Sequence, residues 1–171
     1  FHEGTAKFRE EFVMAIVEVR IDDRLIHGQV VGYWVPQFKV ERILIVDDEI
    51  VNDEIRKNAL KFGCPAQCKL SIFGAAKAAE KLNRKIDEGV RVMLLCRTPQ
   101  PFVDLADNGY LVDHITIGNM STKANAKHIH KNIFVSPEEC AAFNLLADKG
   151  VQLSIQYTPV DTKIDATKLF R

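Results

Sequence analysis

The segment Arg20–Val30, with the sequence RIDDRLIHGQV, carries the residues best suited to chemistry. Its single imidazole, His27, is followed by Gly28 and preceded by two arginines and two aspartates. A neutral imidazole with one free ring nitrogen is a nucleophile, and that nitrogen can hold a phosphoryl group. We therefore interpret His27 as a candidate phosphoryl acceptor.

The neighbouring residues can meet the negative charge of a phosphoryl group. Backbone N–H groups of a helix beginning at Gly28 would face the anion, and the helix dipole would add ~0.3–1 kcal/mol. Arg24 can make bidentate contacts to phosphate oxygens. Asp22 or Asp23 can fix the tautomer of His27 or orient the arginine. Spacing alone leaves a second interpretation open, in which His27 is a capping or surface residue beside exposed ion pairs of little energetic value.

The rest of the chain alternates between strand-like and helical patterns. Strands are predicted at Ile16–Ile21, Arg42–Val46, Cys68–Phe73, Arg91–Cys96, His114–Ile117, Asn132–Val135 and Gln152–Tyr157. Helices are predicted at Gly28–Val35, Ile50–Phe62, Ala75–Ile86, Phe102–Asn108 and Pro137–Asp148. This alternation predicts a single α/β domain with an open, doubly wound, mostly parallel sheet of about seven strands and helices on both faces. Ligands of such sheets bind at the carboxyl ends of the strands, and His27 follows the first one.

Composition narrows the class of protein. The chain has 171 residues, is 47% hydrophobic and carries 23 basic and 23 acidic residues, so its formal net charge is zero. That balance argues against a dedicated nucleic-acid binder, and no apolar run approaches the ~20 residues of a membrane span. The four cysteines lack metal-binding spacing and are interpreted as reduced thiols. With no secretory signal pattern, we predict a cytoplasmic location.

Residues 1–13 fit the remainder of the chain poorly. Met14 is followed at once by strand-like sequence. We expect residues 1–13 to be an appended or vector-derived leader, and we place the domain at residues 14–171.

The segment RIDDRLIHGQV closely resembles the phosphohistidine segment of enzyme IIB components of the mannose/fructose/sorbose family, in the bacterial sugar phosphotransferase system. The resemblance covers essentially Met14–Arg171. It continues through ILIVDDEIVNDEIRK, RVMLLC, ITIGNM and GVQLSIQYTPVD. It implies an N(π)-phosphohistidine–sugar phosphotransferase in which His27 accepts a phosphoryl group from a IIA phosphoprotein. The group then passes to a sugar that the membrane components IIC and IID import.

The resemblance also implies roles for the surrounding residues. Arg24 would stabilise the phosphoryl group, and Asp22 and Gly28 would shape the loop that carries it. Gln29 and Arg20 are further candidates for supporting the phosphate. No metal or organic cofactor is implied, no nucleic-acid partner is expected, and a homodimer is left open beside a monomer.

One segment departs from the family pattern. Where the family commonly has N-V-G-G-M, this chain has the residues Thr116–Met120, with the sequence TIGNM. Gly118 is retained, but Asn119 replaces the second glycine. Because asparagine can adopt the left-handed backbone conformation, we expect Asn119 to preserve the loop.

Two rival functions start from other residues. The sequence ILIVDDE at 43–49 is similar to the opening of a response-regulator receiver, in which paired acids hold Mg²⁺. A receiver also needs a phosphoacceptor aspartate after a later strand, whereas Arg91–Cys96 ends in a cysteine. We therefore interpret Asp47 and Asp48 as loop and helix-cap residues. A non-enzymatic regulatory module with the same fold is the second rival, although the presence of His27 argues against it.

The basic segment at residues 123–131 offers weaker alternatives. His128 and His130 would share one face of an extended chain, but no third metal ligand lies nearby in the sequence. The segment carries three lysines and no aromatic residue. A solvated loop, or a docking patch for an acidic partner, is the favoured interpretation.

Overall fold

The structure is a computed structural model that describes residues 16–85 and 88–171. The described strands are β1 (Ile16–Asp22), β2 (Arg42–Val46), β3 (Lys69–Phe73), β4 (Val92–Cys96), β5 (His114–Asn119), β6 (Lys127–His130), β7 (Ile133–Val135), β8 (Gln152–Ile155) and β9 (Ile164–Asp165). Helix α1 comprises a π-helical turn, Val30–Trp34, and an α-helical turn, Val35–Phe38. The other helices are α2 (Glu54–Gly63), α3 (Ala75–Asn83), α4 (Gln100–Asp107) and α5 (Pro137–Asp148).

Seven strands form the main sheet, in the order β3-β2-β4-β1-β5-β8-β9. Each pair in it is parallel except β8–β9, which is antiparallel. Strand β1 lies between β4 and β5, so the chain crosses from one side of β1 to the other as it passes from β4 to β5. The carboxyl end of β1 therefore lies at the switch in strand order, where open α/β sheets bind ligands.

Two clusters of buried side chains cover the two faces of the sheet. Leu44 and Val46 of β2 belong to one cluster, which contains residues of α3, α4 and α5. The alternate residues Ile43 and Ile45 belong to the other, which contains Trp34 and other residues of α1. Because successive side chains of a strand point to opposite faces, α1 lies on the face opposite α3–α5. This confirms the prediction of a doubly wound sheet with helices on both faces.

The elements differ from the sequence predictions in four places. The segment before Lys131, which was expected to be a loop, contains β6. Strand β6 pairs with β7 in a separate two-stranded sheet. The predicted strand Asn132–Val135, which corresponds to β7, therefore does not belong to the main sheet. Strand β9 was not predicted. The predicted helix Ile50–Phe62 is interrupted at Asp53, which ends a 3₁₀ turn and caps α2 through its side chain.

Two further findings concern the extent of the structure. The predicted leader at residues 1–13 lies outside the described residues. Within the described parts of the chain, no helix combines the length and apolar character needed to cross a membrane.

Candidate functional site

A tight turn joins β1 to α1 and carries His27. The Leu25 N–H donates to the Asp22 carbonyl at 2.9 Å, and Leu25 has a left-handed backbone with φ of 59°. A left-handed leucine costs roughly 1–2 kcal/mol. Its side chain is buried in the cluster on the α1 face, and that burial offsets the cost. Residues 28 and 29 are already helical, so His27 lies directly before the first turn of the helix, as predicted.

The imidazole of His27 is held through both of its nitrogens. Its Nε2 lies 2.8 Å from Oδ2 of Asp22, and the Gln29 N–H donates to Nδ1 over 3.3 Å. A carboxylate only accepts hydrogen bonds, so Nε2 carries the proton and Nδ1 keeps its lone pair. The side chain is 17% exposed. The lone pair of the ring therefore lies on Nδ1, next to the start of α1.

Asp22 is an ionised carboxylate buried beneath this ring. Its side chain is 1% exposed, and it accepts from Nε and Nη2 of Arg24, at 3.0 Å each. Burial alone would raise the pKa of the Asp22 carboxyl, but hydrogen bonds from His27 and Arg24 outweigh it and hold the pKa below its ordinary value. Of the two predicted aspartates, Asp22 is the one that contacts both His27 and Arg24.

Arg24 and Gln29 form the outer part of the site. Besides its contacts to Asp22, Nη2 of Arg24 donates to Oε1 of Gln29 at 3.0 Å. Two fixed contacts orient the guanidinium beside the imidazole, and the residue remains exposed. Gly28 is also exposed, and a Cβ built on it would meet no atom within 4 Å. The protein surface is therefore open directly beside the imidazole.

Arg20 lies behind the turn. Its side chain is buried with its Cζ 4.0 Å above the ring of Trp34, and Nη2 donates to the carbonyls of Gln156 and Tyr157 at 2.7 and 3.2 Å. Burial lowers the pKa of Arg20 to about 10, so the side chain is still charged at neutral pH. The Arg20 side chain thus lies on the inner side of α1, and the sequence did not indicate its contacts there.

Gly118 is required by the close approach of this arginine. A Cβ at position 118 would overlap Nη2 of Arg20 and lie only 2.8 Å from its Cζ. The register of β1 and β5 shifts here, since Ile21 pairs with Ile117 and Asp22 with Asn119. The glycine therefore makes room for a side chain at a bulge.

Asn119 does not use the left-handed conformation on which its expected role rested. Asn119 is an extended residue of β5 and is not among the described residues with positive φ. Because the bulge at Gly118 takes up the irregularity of the backbone, the next residue needs no left-handed conformation. The Asn119 side chain instead donates to Oδ1 of Asp23 at 2.6 Å.

The acids of the rival receiver motif are structural, as predicted. Asp47 caps the following turn by accepting from the N–H groups of Glu49 and Ile50, and it pairs with Arg97 at 2.6 Å. Burial alone would raise its pKa, but these hydrogen bonds hold the pKa of Asp47 below its usual range. Asp48 accepts from the N–H of Ala75, the first residue of α3, at 2.9 Å.

The two histidines of β6 make local contacts. Nε2 of His128 lies 2.6 Å from the Lys131 carbonyl, and Nδ1 of His130 lies 2.6 Å from the Tyr157 hydroxyl. Across residues 16–85 and 88–171, no group of three or more His, Cys, Asp or Glu side chains is placed to hold a metal ion.

Comparison with known proteins yields one family. The model of the family described as "PTS system sorbose subfamily IIB component" matches residues 16–171. The fructose-specific EIIB component of Bacillus subtilis is 34% identical over 159 residues, which cover 93% of this chain and 98% of that protein. The mannose-specific EIIAB component of Escherichia coli (strain K12) is 31% identical over 151 residues, covering 88% of this chain and 47% of that longer protein.

The fold of this chain is also similar to that of a solved structure. The structure titled "phosphoenolpyruvate-dependent phosphotransferase system" superposes with a TM-score of 0.85 at 34% identity, covering 91% of this chain and 97% of the other.

Proposed function

Because this chain belongs to the sorbose subfamily of PTS IIB components, whose members are phosphoryl carriers of sugar phosphotransferase systems, we propose that His27 is its carrier residue. The observation that carries the proposal is the single tautomer imposed on the ring, with Nε2 facing Asp22 and Nδ1 facing the start of α1. The hydrogen bonds of the ring favour Nδ1 as the acceptor atom, because Nε2 holds the proton that faces Asp22.

In the first transfer, the lone pair of Nδ1 attacks the phosphorus of a phosphohistidine on the IIA partner. The new N–P bond forms as the old one breaks, and the donor imidazole keeps the released electron pair. Nε2 of His27 retains its proton, so the phosphorylated ring carries positive charge. The buried Asp22 carboxylate faces that charge at 2.8 Å, which stabilises the phosphorylated state.

The surroundings of Nδ1 supply the anion contacts. The Gln29 N–H, which points at Nδ1 over 3.3 Å, is placed to donate to a phosphoryl oxygen. Arg24 brings a positive charge held by Asp22 and Gln29, and this charge reduces the repulsion between donor and acceptor as the phosphoryl group moves. Gly28 leaves space for the partner because it adds no side chain beside the ring. Arg20 supports the phosphate indirectly, by holding the inner side of α1.

In the second transfer, a hydroxyl oxygen of the imported sugar attacks the phosphorus. The hydroxyl proton leaves to a base at the sugar site, and Nδ1 recovers its electron pair. The partners are the membrane components IIC and IID of the same system, so the protein works in the cytoplasm at the membrane surface. The IIA partner is consistent with the relative in which IIA and IIB are one polypeptide. Sedimentation velocity distinguishes a monomer from a homodimer.

The test is phosphorylation of the purified protein by phosphorylated IIA. Wild type is expected to acquire one acid-labile, base-stable phosphoryl group, with ³¹P–¹⁵N coupling to Nδ1 of His27. His27→Ala is expected to lose acceptance, whereas His128→Ala, which removes an exposed histidine of β6, keeps it. Label on His27→Ala, or a base-labile acyl phosphate on wild type, would overturn the proposal.

A further inference from the structure

Asn119, the last residue of β5, lies at the centre of a small hydrogen-bond network. Its Nδ2 donates to Oδ1 of Asp23 at 2.6 Å, and its carbonyl accepts from the Asp23 N–H at 3.1 Å. The Ser121 N–H donates to the other carboxylate oxygen of Asp23, also at 2.6 Å. The first turn residue after β1 is therefore held by its backbone and by both oxygens of its side chain.

The bulge at Gly118 directs Asn119 into this position. The paired residues are Ile21 with Ile117 and then Asp22 with Asn119, so the bulge brings Asn119 level with the end of β1. In a regular register Gly118, which has no side chain, would occupy that place.

A further contact sets the orientation of the amide. Nδ2 of Asn132 donates to Oδ1 of Asn119 at 2.6 Å. Since Oδ1 of Asn119 is used as this acceptor, its Nδ2 is turned towards the carboxylate of Asp23. The residue is only 6% exposed, so water competes little for these contacts.

The network is one residue away from the group that orients the imidazole. Asp23 follows Asp22 directly, and Asp22 accepts from Nε2 of His27. Because the Asp22 carboxylate selects the tautomer with the proton on Nε2, a displacement of the backbone at Asp23 would weaken the contact that makes this selection.

We propose that Asn119 is a positioning residue for phosphoryl transfer, which fixes Asp23 and thereby holds Asp22 against His27. The inference rests on the proposed function of His27. It assigns a role to one of the residues at which this chain departs from the family pattern.

The experiment compares Asn119→Ala with Asn144→Ala. Asn144 is a partly buried asparagine of α5 whose amide donates to the Phe170 carbonyl. Its replacement by alanine therefore also removes a hydrogen bond of a side-chain amide, but one that lies outside the network. Two quantities are measured on the whole chain: the rate of phosphoryl acceptance from phosphorylated IIA, and the share of the Nε2–H tautomer of His27 from its ¹⁵N shifts. The variants Asp23→Ala and Asp23→Ala/Asn119→Ala complete a double-mutant cycle.

Asn119→Ala is expected to accept phosphate about tenfold more slowly, because small misplacements of reacting groups are costly. It should also lower the Nε2–H share, whereas Asn144→Ala changes neither quantity. In an Asp23→Ala background, the Asn119 substitution should have no further effect. If Asn119→Ala does not fold, Asn132→Ala, which removes the contact that orients the amide and a longer one of 3.5 Å to the Gly118 carbonyl, should slow acceptance to a smaller extent.

Three results would overturn the inference. Equal values for Asn119→Ala and Asn144→Ala would remove the positioning role, and so would a slower rate with an unchanged tautomer. Full additivity in the double-mutant cycle would show that Asn119 does not act through Asp23. A wild-type protein that accepts no phosphoryl group would instead refute the proposed function, and this inference would fall with it.

Discussion

Replacement of Asp22 by asparagine tests the contribution of its carboxylate, which contacts both His27 and Arg24, to the phosphorylated state. Asp22→Asn keeps the shape of the side chain but removes the negative charge that faces Nε2 of His27 at 2.8 Å. A hydrogen bond to a charged group contributes about 1.5–3 kcal/mol. Because about 1.4 kcal/mol corresponds to a tenfold change in rate, acceptance should fall roughly 10- to 150-fold.

The assay is rapid-quench phosphorylation by phosphorylated IIA, with Asp148→Asn as the control. Asp148 forms an exposed ion pair with Arg171 at 2.6 Å, so the control removes a carboxylate from an ion pair away from the turn. A rate for Asp22→Asn within twofold of wild type, with the fold intact, would refute the assignment of Asp22 as the partner of the phosphorylated ring.

The same variant has a defined pH dependence. The pKa of Asp22 is lowered in the folded protein, so between the folded and unfolded pKa values the unfolded state binds more protons. The stability contributed by Asp22 is therefore fully present above the unfolded pKa of ~3.9 and is lost as the pH falls through the folded pKa. Urea titrations should show the largest deficit of Asp22→Asn near neutral pH and a shrinking deficit in acid. A deficit that grows on acidification would contradict the assigned direction.

Two further predictions concern Gly118, with Gly28 as its control, and Asp47 of the rival receiver motif. Gly118→Ala should destabilise the protein by about 1–3 kcal/mol in urea unfolding, because its Cβ overlaps the buried guanidinium of Arg20. Gly28→Ala, which meets no atom, should stay within ~0.5 kcal/mol of wild type, and equal losses for the two would refute the close approach. Asp47→Ala should lower stability by ~1–3 kcal/mol, because two backbone N–H groups lose their acceptor and Arg97 keeps only its contact to the exposed Glu49. It should nevertheless still be phosphorylated, whereas a receiver would lose phosphorylation.

Local sequence patterns were sufficient for most of the sheet and for the position of His27. The strand β2 was predicted with its observed bounds, because an apolar run between charged residues needs no knowledge of its neighbours. The position of His27 before a helix followed from the helical pattern predicted at Gly28–Val35. The short strands β6 and β9 were missed, since two to four residues carry too little periodicity to be distinguished from loops.

The contacts that support the site could not be predicted, because they join residues far apart in the sequence. The guanidinium of Arg20 contacts the carbonyl of Gln156, 136 residues further on. The side chain of Asn119 reaches Asp23 across 96 residues. The departure from the family pattern marked Asn119 as unusual, but only the bulge at Gly118 reveals that its side chain, and not its backbone freedom, matters.

The orientation of the imidazole restricts how the phosphoryl donor and the phosphoryl acceptor can approach His27. Nε2 is turned towards the buried Asp22, so under the proposed mechanism Nδ1 is the one nitrogen open to both donor and acceptor. The two partners must then use the same approach, and the phosphorylated IIA protein and the membrane components exclude each other. Each turnover therefore requires binding of IIA and then binding of the membrane components. A large excess of unphosphorylated IIA should slow delivery of the phosphoryl group to the sugar, because IIA competes with the membrane components for the same surface at His27.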